Sequence, residues 1–161
     1  MMDQWRYNAI RVTKYNPLFR DESGKYTADD WVSYSDIGRE FNGTILTAAA
    51  YSRVEQQYID AVITILRTQE LDKVVIKALE KYPGGELVSD LYDQLEDGIF
   101  IDLEHIPMLM KLVLRDYIWC ELQIAGDIVI RFGYDFYMYV NGIPKEAGIW
   151  QEISSAGLFV D

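Results

Sequence analysis

The chain has 161 residues, half of them hydrophobic and 14% aromatic, with a net charge of −11. One domain spanning 1–161 is expected at this length, with about 70% of the unfolded surface buried, so neither disulfide nor metal is needed for stability. The single Cys120 excludes an internal disulfide framework and a cysteine-based zinc site, and the acidic balance argues against nucleic acid or an anionic membrane as a partner.

The first residues, MMDQWRYNAI, lack the basic and apolar regions of a signal peptide. No apolar run approaches the ~18 residues that span a bilayer. A cytoplasmic protein is expected.

Residues 4–15 alternate as a first strand, with Trp5, Tyr7, Ala9 and Arg11 on one side. Asn16-Pro17 ends it, because proline removes a ladder donor. Residues 16–43 are irregular and punctuated by Gly24, Gly38 and Gly43. Trp31, Tyr34, Ile37 and Phe41 could pin this loop, and Ser35 or Asp36 could cap a short helical turn. Long loops on a rigid scaffold often carry specificity, so Trp31 and Asp36 are candidate partner contacts. Residues 47–68 read as a helix capped by Thr47. Its apolar stripe is Tyr51, Val54, Tyr58, Val62, Ile65 and Leu66. Residues 72–79 favour a strand through Val74-Val75-Ile76. Pro83-Gly84-Gly85 is a break, and residues 86–96 suggest a short helix.

The clearest stretch is 106–140. Ile106, Leu109, Met110, Val113, Leu114 and Tyr117 recur on one helical face. Asp102 is the expected N-cap of a helix over 103–117, with Pro107 in its first turn. Beyond it the period falls to two: Ile118, Cys120, Leu122, Ile124; then Ile128, Ile130, Phe132; then Phe136, Met138, Val140. Ala125-Gly126-Asp127 and Asn141-Gly142 mark turns. A helix feeding a three-stranded antiparallel meander follows. The other side of these strands carries Trp119, Glu121, Arg131, Tyr137 and Tyr139, with Tyr134-Asp135 nearby. Tyrosine and tryptophan bury large area at low entropic cost. Trp119, Arg131, Tyr134, Asp135, Tyr137 and Tyr139 are therefore further partner-contact candidates. The tail from 143 reads as irregular.

No catalytic motif emerges. The chain has no G-x-S-x-G elbow, no P-loop and no G-x-G-x-x-G, and His105 is its only histidine. Asp93 to Glu104 has the spacing of a calcium loop, with Gly98 at its sixth position. Leu95 and Ile101 stand where oxygen ligands belong, so the segment reads as a helix, a glycine turn and a capped helix. No catalytic residue, cofactor or metal is assigned. Residues 82–110 hold seven acids and no Lys or Arg, which suits a basic protein partner.

Several short runs carry a resemblance: Tyr15-Asn16-Pro17, Arg20-Asp21, Asp30-Trp31, Asp36-Ile37-Gly38, Leu114-Arg115-Asp116, Trp119-Cys120 and Phe132-Gly133-Tyr134-Asp135-Phe136-Tyr137-Met138-Tyr139. Together they resemble a pattern in small acidic bacterial proteins, which are similar to immunity proteins that neutralise bacterial toxins. The resemblance carries over no site residues.

The expected architecture is α+β: the C-terminal meander plus the N-terminal strand form an antiparallel sheet against helices near 47–68 and 103–117. The expected function is a non-enzymatic protein-binding module of the immunity or antitoxin kind, acting on a basic partner through an acidic, aromatic-bearing surface. The competing reading is a small-molecule binder or carboxylate enzyme with a pocket under the 16–43 loop. A homodimer is also compatible.

Overall fold

The computed structural model describes residues 4–161. The fold is α+β, built on a seven-stranded antiparallel sheet. The strands are β1 (Ile10–Thr13), β4 (Lys73–Lys81), β5 (Phe100–Asp102), β6 (Ile118–Ala125), β7 (Ile128–Phe132), β8 (Tyr137–Asn141) and β9 (Phe159–Val160), in the order β5-β4-β6-β7-β8-β1-β9. A separate two-stranded ribbon, β2 (Glu40–Phe41) with β3 (Thr44–Ile45), closes the long N-terminal loop.

The helices are α1 (Ala48–Thr68), α2 (Leu91–Gln94), α3 (Ile106–Leu114) and α4 (Ile149–Ser155). Thr47 caps α1, its hydroxyl accepting the Ala50 N–H at 3.1 Å, which satisfies one free donor of the first turn. The α1 stripe predicted from periodicity is buried except for half-buried Val54. With the buried faces of α3 and α4 it joins Val12, Ile76, Cys120, Leu122, Ile130, Met138 and Val140 in one core. Burial alternates residue by residue along β6, β7 and β8, the period-two rule for a sheet covered on one face.

Four local expectations are corrected. Residues 4–8 form a 3-10 turn, and strand pairing starts only at Ile10. The cap near 35 is Ser33, in a reciprocal capping box with Asp36. The 103–117 helix begins as a 3-10 turn and ends at Leu114, and the Asp102 side chain makes no capping bond. The tail is ordered: α4 and β9 dock it through Ile149, Trp150, Ile153 and Leu158.

Candidate functional site

The strand registers assemble one row across the sheet. Lys77 lies opposite Glu121, Glu121 opposite Arg131, Arg131 opposite Tyr139, and Tyr139 opposite Arg11. Arg11 exchanges both backbone hydrogen bonds with Asp161. Five strand positions and Asp161, up to 150 residues apart in sequence, thus point to the face opposite the core. Arg131 Nε donates to Glu121 Oε1 at 3.1 Å and its Nη1 to Asn141 Oδ1 at 3.0 Å. Arg11 grips Asp161 through both carboxylate oxygens, at 2.7 and 2.9 Å.

Two irregular segments partly cover this outer face. The 4–8 turn folds back so that Trp5 meets Tyr139 edge-on, with ring centroids 5.2 Å apart. The Arg131 guanidinium lies 4.9 Å from the Trp5 ring centre, and Asn141 Nδ2 donates to the Trp5 carbonyl at 2.9 Å. Arg6 stacks over both Trp5 and Tyr139. Such guanidinium–ring contacts hold arginine and aromatic planes together at modest desolvation cost. At the other end Tyr15 packs on Tyr26 and Tyr137, and Arg20 donates to the Tyr137 hydroxyl at 3.1 Å. Burial pushes the Tyr15 hydroxyl well above its ordinary pKa; it donates to the Asp135 carbonyl at 2.6 Å.

Beside the 4–8 turn lies a groove of about 340 Å³ lined by Trp5, Arg6, Trp119, Glu121, Arg131, Phe132, Gly133 and Tyr134. Trp119 is fixed there by its indole N–H, which donates to the Phe132 carbonyl at 2.7 Å. Gly133 keeps the groove open: a Cβ would sit 3.0 Å from Tyr139 Cε2. A second groove of about 380 Å³ adjoins it, lined by Arg6, Tyr7, Arg11, Tyr139 and Asp161. Tryptophan, tyrosine and arginine are the residue types that dominate measured interface energies.

The predicted contact residues divide. Trp119, Arg131, Tyr137 and Tyr139 share this face, and Tyr134 stands at the groove's rim with 88% of its surface exposed. Asp135 is exposed beside it, in a left-handed turn at φ 61°. Trp31 and Asp36 lie in the 16–43 loop, away from this face, and both are buried. The Trp31 ring packs against Tyr51 and Phe136 and is only 8% exposed. Asp36, 5% exposed, accepts from Val32 N, Ser33 N and Arg39 Nη1. Both hold the loop together.

The loop packs on the core and lines two cavities. Tyr34 and Trp31 press on Tyr51; the cavity between the loop and 132–137 measures about 100 Å³, and a second, bounded by Trp31, the β2–β3 ribbon and Ala50, about 280 Å³, both below the ~300 Å³ typical of ligand sites. Asp116 lines the smaller one, its pKa raised first by desolvation and then by Asp135. Next to it Glu55, 2% exposed, is held by Arg115 and by the Tyr51 hydroxyl. Lys14 is buried against Asp30 at 2.9 Å and over the Tyr15 and Trp31 rings. Desolvation lowers its pKa against the opposing pull of Asp30.

The calcium-loop spacing does not fold as a wrapped loop. Residues 100–102 run extended as β5 with Ile101 buried, and Asp97 accepts the Leu79 N–H at 2.7 Å. Asp102, Glu104 and His105 gather their ligand atoms within 4.8 Å of one another, all three exposed. All seven acids of 82–110 are exposed, as are Tyr82, Leu87 and Phe100. Lys73, Lys77 and Lys81 on β4 lie beside them. Among the described residues no helix is long and apolar enough to cross a membrane.

Sequence reasoning missed Trp5 and Arg6 as groove walls, because their alternation suggested a strand. It missed the Glu55–Arg115 pair too. Its one available signal was an acid four residues after Tyr51 on an otherwise apolar stripe. Comparison with protein-family models, with curated proteins and with solved structures yields no match in any of the three.

Proposed function

We propose that this chain is a non-enzymatic, cytoplasmic protein-binding module of the immunity or antitoxin kind, and that the outer face of its sheet is the contact surface. The observation that carries this reading is the open groove in which Trp5, Trp119, Arg6 and Arg131 meet, with Tyr139 beside them. Large rings and guanidinium groups are already held in place there by Glu121, Asn141 and the Phe132 carbonyl. A partner that buries them loses little further side-chain entropy.

The acidic remainder serves a second purpose. A net charge of −11, with seven exposed acids along 82–110, steers a basic partner during encounter. Steering sets the rate of approach, while the aromatic face sets the strength of the final contact. The pocket reading under the 16–43 loop is less favoured, because the cavities the loop lines, about 100 and about 280 Å³, fall below the ~300 Å³ typical of ligand sites.

The test is a comparison of baits. The immobilised wild-type chain and its Trp119→Ala variant are exposed to extract of the native host, and bound proteins are identified by mass spectrometry. A basic protein retained by the wild type and lost from the variant supports the reading. Equal retention by both places the contact elsewhere.

A further inference from the structure

The outer-face grooves carry charge opposite in sign to the chain as a whole. The two grooves carry three arginines, Arg6, Arg11 and Arg131, against two carboxylates, Glu121 and Asp161. That is a local charge of +1 in a chain of −11 overall. The charges are not spent evenly. Asp161 is engaged through both oxygens by Arg11. Arg131 gives Nε and one Nη1 bond away, and among the described residues its Nη2 makes no hydrogen bond. In the same groove the Trp5 and Trp119 rings supply flat apolar walls.

Guanidinium donors beside aromatic walls fit a carboxylate carried on a short apolar stem, because the planar fork matches a carboxylate and the rings bury the stem. We propose that the groove selects a single Asp or Glu side chain of the partner, flanked by apolar residues. This rests on the protein-binding reading above and adds to it: a partner basic overall presents one acidic knob to a locally basic spot on this face. A locally basic site on a chain of net negative charge discriminates between partners of similar net charge. A basic competitor placing Lys or Arg there meets two guanidinium groups.

The test uses the full-length ¹⁵N-labelled chain and three acetylated, amidated tripeptides: Leu-Glu-Leu, Leu-Gln-Leu and Leu-Lys-Leu. Each is titrated while the indole N–H signals of Trp5 and Trp119 and the Arg131 Nε–H signal are followed. The proposal expects saturable shifts at these signals with Leu-Glu-Leu, binding at least about tenfold tighter than Leu-Gln-Leu, and no saturation with Leu-Lys-Leu. Arg131→Gln should abolish the Glu preference. Arg6→Gln, on the exposed 4–8 turn, should weaken it without touching a strand. Equal response to the Glu and Gln peptides, preference for Lys, or no shift with any peptide overturns the proposal. The bait comparison is independent of this outcome: partner loss in Trp119→Ala together with a failed titration leaves the contact face standing and removes only the carboxylate preference.

Discussion

Arg115 and Glu55 form a two-pronged pair across 60 residues: Nε donates to Oε2 at 2.9 Å and Nη2 to Oε1 at 2.8 Å. The pair fastens the end of α3 to the middle of α1, and Tyr34 of the long loop lies over the guanidinium with its ring centre 4.6 Å away. The pair thus organises the loop from below. Removing Arg115 strands a nearly fully buried carboxylate, so Arg115→Ala should destabilise the protein by about 3 kcal/mol. Urea unfolding measures this; a loss below about 1 kcal/mol would show that Glu55 finds water or another partner.

Asp116 should respond to pH in the opposite sense to a salt-bridged acid. Desolvation and Asp135 raise its pKa in the folded state above the ordinary 3.8. The folded state therefore holds its proton where the unfolded chain has released it, and stability falls as pH rises between the two values. Asp116→Asn removes this dependence, and asparagine tolerates the φ of 64° at this position. The variant is expected to be more stable than the wild type at pH 7, with the difference vanishing below pH ~4. Thermal melts across that range test it.

Cys120 should be silent in the native protein. It is fully buried in β6, and burial pushes its thiol up to about 12. The thiolate is the reactive form, so a disulfide reagent at pH 8 should label it only after denaturant is added. Rapid labelling of the native protein would mean that β6 opens locally.

Much of this architecture could be read in advance because it rests on local periodicity. The α1 stripe and the alternation from Ile118 to Phe132 are direct consequences of burying one face. What escaped depends on contacts distant in sequence. Residues 4–8 alternate like a strand, yet the turn that sets Trp5 on Tyr139 is decided by packing 134 residues away. The α4 helix is only seven residues long and starts at Gly148 without a side-chain cap, so its stripe of Ile149, Trp150 and Ile153 is too short to stand out. The outer-face aromatics were visible as a row, but their company was not. Arg11 and Asp161 reach that row only through the registers of β1, β8 and β9.

Association with the captured partner should be sensitive to salt. The chain's charge of −11 acts over a Debye length of about 10 Å at 0.1 M salt. Raising salt from about 50 mM to about 500 mM should slow the on-rate by at least about tenfold while changing the off-rate much less. Stopped-flow Trp fluorescence follows this directly.

The affinity of the captured partner for Trp119→Ala tests the central claim most directly. Trp119 lines the groove and contacts no part of the Glu55–Arg115 pair by hydrogen bond. If the outer face is the contact surface, the variant should remain folded by circular dichroism and bind about thirtyfold more weakly, a loss of about 2 kcal/mol. A folded variant whose affinity changes by less than about twofold would contradict the assignment of this face.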